Sequence, residues 1–119
     1  MELKIDRELF DRAMNLKNSD KFNESAQILL KLKNDVLDSK DDLLIIYKAL
    51  AQVYYLDNQY KEALGYLKIV TQSSPENELY STALFDCYLE LRDNESAFAE
   101  LNRFLSQYPA IRYKVTLKN

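Results

Sequence analysis

The stretch YKALAQVYYLDNQYKEALGYLKIVTQSSP, residues 47–75, lies without a gap over STALFDCYLELRDNESAFAELNRFLSQYP, residues 81–109, at a separation of 34. Leu50 falls on Leu84, Tyr54 on Tyr88, Ala63 on Ala97, Leu67 on Leu101 and Pro75 on Pro109. Self-similarity at a fixed period of this length marks stacked supersecondary units, so it decides the fold before any single element is read. A looser third copy lies N-terminal at an offset of 38, where Leu9, Ala13, Leu16, Phe22, Ser25, Leu29 and Leu32 hold the corresponding sites. Leu37 stands there in place of the proline.

Within each copy the apolar residues recur at separations of three and four, as with Ile46, Leu50, Val53 and Tyr54, then Ala63, Leu64, Leu67 and Val70. That period belongs to amphipathic helices. One glycine and two prolines in 119 residues leave almost no material for tight β-turns or phosphate-cradling loops. The expectation is an all-α chain of six helices, near residues 6–18, 22–38, 41–57, 60–73, 76–91 and 94–107. The run Ser74-Pro75-Glu76 reads as the start of the fifth helix: a capping side chain, a proline at the first helical position and an acid in the first turn. Ser39 and Asp42 read as a capping box before the third. Gly65 in mid-helix is expected to mark a close helix crossing.

Period and order of sites resemble the tetratricopeptide repeat, in which each unit is a pair of antiparallel helices. In the middle unit the motif-bearing residues are Tyr47, Leu50, Ala51 and Tyr54, then Tyr60, Ala63, Leu67 and Val70, closed by Pro75. The resemblance implies a right-handed α-solenoid of three helical hairpins, about residues 6–39, 44–77 and 78–111, in one domain spanning 1–119 with a tail at 112–119. A lone hairpin leaves an apolar face uncovered, so neighbouring units must stack. Departures from the pattern affect shape. Phe85 stands where Ala13 and Ala51 occupy a normally small site, which predicts a wider third hairpin, and Arg12 and Ser81 stand where large apolar residues are usual. Leu32, Val70 and Phe104 replace a favoured alanine.

In such arrays the first helices of successive units line a concave groove. Carried over by position, the groove residues are Arg7, Phe10, Asp11, Met14, Lys17 and Asn18; then Ile45, Lys48, Ala49, Gln52, Tyr55 and Leu56; then Leu79, Thr82, Ala83, Asp86, Leu89 and Glu90. One subset of the family grips the carboxylate tail of heat-shock chaperones with lysine, asparagine and arginine. Here those sites hold Phe10, Met14, Ala49, Leu79 and Ala83, so that clamp is absent. The apolar groove suits an extended or helical peptide with hydrophobic anchors. Some of these residues could instead pack between units. Among the nine tyrosines, Tyr47, Tyr54, Tyr60 and Tyr88 occupy packing sites, whereas Tyr55, Tyr66, Tyr80 and Tyr113 are the better contact candidates.

Chemistry is narrowed by what the chain lacks. Without histidine it has neither the usual general base nor the usual zinc ligands. An enzyme is not expected, and Asp11, Asp86 and Glu90 are the only groove acids to nominate. No cofactor or metal is expected: the acidic run NDVLDSKDD lacks the alternation and glycine turn of a calcium loop. A net charge of -3 without a basic stripe argues against nucleic acid. No segment approaches 18 consecutive apolar residues, so no membrane association is expected, and a cytoplasmic location is. The lone Cys87, inside an apolar helical pattern, suits a buried structural thiol in a reducing compartment.

The functional expectation is a non-enzymatic protein–protein interaction module, an adaptor, chaperone or immunity-type binder holding a protein or peptide in the groove. The alternative is a self-associating structural module, a homo-oligomer through the C-terminal end, or a fragment of a longer array. That end, IRYKVTLKN at 111–119, alternates β-branched or apolar with polar residues and carries three basic residues and no acid. It is expected to be an extended tail that packs on the last hairpin or pairs with another chain's strand; a short ordered cap and disorder are the other options.

Overall fold

The only glycine lies inside a helical pattern, so every join between helices must be made by residues bearing side chains. A computed structural model describes residues 4–118. Among them are seven α-helices and no strand: α1 Arg7–Asn18, α2 Phe22–Asp35, α3 Lys40–Leu56, α4 Tyr60–Ser73, α5 Glu78–Glu90, α6 Asn94–Gln107 and α7 Arg112–Lys118.

The joins α1–α2, α3–α4 and α5–α6 are built alike. Each places one residue in the left-handed region, Asp20 (φ 60°), Asn58 (φ 60°) and Arg92 (φ 63°). The next residue's N–H reaches back across the helix end: Lys21 to the Leu16 carbonyl (2.8 Å), Gln59 to Tyr54 (2.9 Å), Asp93 to Tyr88 (2.8 Å). These are Schellman-type closures, which favour glycine at the left-handed site. Asp and Asn tolerate that conformation; an arginine gains nothing from it. Arg92→Gly is therefore expected to stabilise the protein by about 1 kcal/mol, a rise of roughly 4 °C in Tm on a calorimetric scan.

Each helix packs on its neighbours in sequence from α1 through α6, and α7 lies on α5. The core divides accordingly. Ala13, Leu29, Leu32, Ile46, Leu50 and Val53 join α1, α2 and α3. Ala51, Ala63, Leu67, Val70, Leu84 and Cys87 join α3, α4 and α5. Phe85, Ala97, Leu101, Phe104, Ala110 and Tyr113 join α5, α6 and α7. The small site of α2 is polar but satisfied, because Ser25 Oγ donates to the buried Ala13 carbonyl at 2.7 Å.

Two expected helix starts differ. Helix α5 begins at Glu78, not near 76, because the Asn77 side chain accepts from the Tyr80 N–H (3.1 Å). Ser74 instead ends α4, and its carbonyl accepts from the Asn77 N–H. The Ser39–Asp42 capping box is not formed. The Ser39 N–H is taken by the Val36 carbonyl (3.0 Å), and Asp42 turns to accept from the backbone N–H of Lys4 (2.9 Å), fastening the N-terminal segment. Gly65 marks no close crossing, since a Cβ built there meets nothing within 4 Å. Gly65→Ala is thus expected to raise stability by about 0.5–1 kcal/mol, measurable as a higher denaturant midpoint with an unchanged slope.

The largest correction concerns the C-terminal segment, which is neither an extended tail nor a strand but the short helix α7. Its alternating pattern is misleading because one residue decides the geometry. Tyr113 is fully buried, edge-on to Phe85 (5.7 Å, 89°) and tilted on Phe104 (5.7 Å, 53°). Glu78 at the start of α5 accepts from the N–H groups of Ile111 (2.9 Å) and Tyr113 (2.9 Å), so its carboxylate caps α7 as a neighbouring side chain. Partial burial pushes the Glu78 carboxyl up, but these N–H bonds and the Arg112 charge outweigh it and hold the carboxyl below its usual range. The Tyr113 hydroxyl lies 2.6 Å from Ser81 Oγ, which donates to Glu100 Oε2 at 2.6 Å. Arg103 closes the cluster on Glu100 through Nε (2.9 Å) and Nη2 (2.7 Å), with Nη1 on the Pro75 carbonyl (3.1 Å). Tyr113 is therefore a core residue, not a contact candidate. Ser81 is polar at an apolar site because α7 brings it a phenol. Residue 119 lies outside the described residues.

Candidate binding groove

Helix α3 is apolar on two faces. Ile46, Leu50 and Val53 are buried in the core, while Ile45, Tyr55 and Leu56 line a groove on the adjoining face; Ala49, also buried in that core, lines the groove as well. The α5 helix repeats this, with Leu84, Phe85 and Cys87 buried and Leu79 and Ala83 facing α3. Between α1, α3 and α5 these faces line an open groove of about 470 Å³.

The structure brings ten of the expected groove residues to this cavity: Phe10, Met14, Ile45, Lys48, Ala49, Gln52, Tyr55, Leu56, Leu79 and Ala83. Leu56 and Leu79 are 46% and 51% exposed, so the apolar surface is open rather than closed between units. Lys17 stands at the rim, its Nζ donating to Gln52 Oε1 at 3.1 Å across α1 and α3. Asp86 accepts from the Tyr55 hydroxyl at 2.8 Å, tying α3 to α5. Arg7 is exposed beside Asp11 at 3.4 Å, and Leu89 and Glu90 lie exposed at the far end of α5, none of the three lining the cavity. Asn18 and Thr82 do not line it either. Ala51, Leu67 and Tyr80 line it without being expected there. The first two sit at repeat-defining packing sites and form part of the groove as well as of the core. Tyr80 was legible as a tyrosine outside the packing sites.

The polar groups are largely engaged with each other. Burial, then the bond to Asp86 and its charge, pushes the Tyr55 hydroxyl well above its ordinary value, so it stays a neutral donor. Cys87 sits on the buried face of α5 with its thiol pushed up to about 12, first by burial and then by the Asp86 and Glu90 carboxylates, which disfavours the reactive thiolate. Among the described residues no group of three or more His, Cys, Asp or Glu side chains could hold a metal ion. Two of the four acids of the NDVLDSKDD run hold the N-terminal segment, Asp38 on Lys4 Nζ (3.0 Å) and Asp42 on the Lys4 backbone N–H (2.9 Å).

A second cleft, about 560 Å³, lies between α4, α5 and α6. It is larger, yet its charged side chains already have partners: Arg103 holds Glu100, and Lys68 Nζ sits 5.9 Å over the Tyr88 ring. That cleft also holds Thr71, whose buried hydroxyl has no hydrogen-bond partner among the described residues, whereas the groove between α1, α3 and α5 is lined mainly by apolar side chains. Among the described residues no helix is long and apolar enough to cross a membrane. The chain matches no known protein family, no curated protein and no solved structure.

Proposed function

We propose that this chain is a right-handed α-solenoid of three tetratricopeptide-like hairpins that holds a segment of another protein in the groove between α1, α3 and α5, without catalysis. The observation that carries this reading is the open apolar cavity, where Leu56 and Leu79 remain exposed beside Phe10, Met14 and Ile45. The three like-built joins and the core shared between successive helix pairs support the repeat. An adaptor, a chaperone or an immunity-type binder would each use such a surface, and the fold alone does not choose among them.

Leu79→Glu tests the site, because it places a charge on the groove at a half-exposed position that the core does not need. An environment-sensitive dye is expected to brighten on the wild-type protein and to lose most of that signal on the variant, with the melting temperature changed little. Equal brightening on both would place the apolar surface elsewhere.

A second reading, association with further copies through the C-terminal end, draws on Ile111, just before α7, and Val115 within it, which are 78% and 61% exposed. Light scattering over a concentration series checks it: a constant monomer mass sets it aside.

A further inference from the structure

The groove's walls are helices whose own turns already use their backbone N–H and C=O groups, so only side chains can bond to a guest. Lys48, Gln52, Tyr55 and Tyr80 are the polar-tipped lining residues; every other one is apolar. Gln52 Oε1 already accepts from Lys17, and the Tyr55 hydroxyl is given to Asp86. An extended segment would turn part of its backbone N–H and C=O groups against these apolar walls without partners, and buried backbone groups must find partners. A helix carries its partners with it.

We infer that the groove's occupant is an amphipathic α-helix of a partner protein, seated by apolar residues about one turn apart and carrying an acidic side chain that pairs with Lys48. This rests on the groove reading above. Lys48 is the only charged residue lining the cavity, and no carboxylate lies within ion-pair distance of it among the described residues. Half-buried beside apolar walls, that ammonium favours an anionic neighbour over a cationic one. The terminal helix of a second copy is the wrong guest: it brings Arg112, Lys114 and Lys118 with no acid, and α7 already buries Tyr113 against its own α5.

Three labelled synthetic peptides of equal length and leucine content test this by fluorescence anisotropy and circular dichroism. The first is helix-forming, with leucines at i, i+3, i+4 and i+7 and one glutamate flanking them. The second has lysine for that glutamate, and the third has two central prolines. The first is expected to bind and gain helical signal on binding. The lysine peptide should bind about threefold more weakly, a preference that Lys48→Glu reverses. The proline peptide should bind at least about tenfold more weakly. Proline and helical peptides of equal affinity overturn the helical guest and leave the groove reading standing. Equal affinity of the glutamate and lysine peptides overturns the pairing with Lys48. Binding unchanged in Leu79→Glu, or no binding by any peptide, overturns the groove reading along with the inference. A thermal melt of each variant confirms that the fold is kept.

Discussion

Tyr113→Ala is expected to cost about 3 kcal/mol or more, a large share of the roughly 5–15 kcal/mol that holds a domain of this size together. The tyrosine is completely buried, and its ring is packed against Phe85 and Phe104. Truncation removes that packing and the hydroxyl bond to Ser81 together. Because α7 is terminal, the protein has an alternative to keeping the cavity: the helix can undock. The loss is then bounded by the free energy of docking α7, and deletion of residues 111–119 should cost about the same as the single substitution. Urea unfolding of the two variants checks this, and a deletion that costs far more than the substitution would refute it. Tyr113→Phe keeps the ring and leaves Ser81 bonded to Glu100, so it should cost no more than about 1 kcal/mol.

Arg103→Ala is expected to destabilise by about 2–3 kcal/mol through a different mechanism. Glu100 is 9% exposed, and two of its three hydrogen bonds in this cluster come from Arg103, leaving the Ser81 hydroxyl alone after truncation. A desolvated carboxylate without its cation is costly, though Arg103 is itself about a third exposed and water will enter part of the gap, which keeps the loss below that of a fully buried pair. The lost bond to the Pro75 carbonyl also loosens the α4–α5 join. Arg103→Ala combined with Glu100→Leu should recover part of the stability, because removing both partners costs less than orphaning one. Denaturant curves for the two single variants and the double variant measure the coupling, and strict additivity would show that the pair does not act as a unit.

Most of the helical framework was legible. Periods of three and four in the apolar residues placed α1 through α6 to within a few residues; that Asp20, Asn58 and Arg92, spaced by the same offsets of 38 and 34, make the same turn emerged only from the structure. The groove was legible in part, because register says which way a side chain leaves its helix. It did not reveal that Ala51 and Leu67 serve core and groove together, which depends on how closely α3 and α4 approach.

What failed were the features decided by a partner distant in the chain. Ser39 and Asp42 have the spacing of a capping box, but Lys4, 38 residues away from Asp42, claims the carboxylate. Gly65 looked like a crossing point and faces open space. The segment 111–118 has the alternation of a strand, and isolated it would be too short to hold a helix. It becomes one because Glu78, 33 residues before Ile111, caps its first turn and a pocket lined by Phe85 and Phe104 accepts Tyr113. The chain by itself determines periodicity, and with it the helices, their turns and the direction each face points, since these follow from local sterics and the separation of apolar side chains. Only the tertiary structure decides how the last core is covered and which polar groups are left for a guest, because both depend on which groups from remote parts of the chain arrive at the same place.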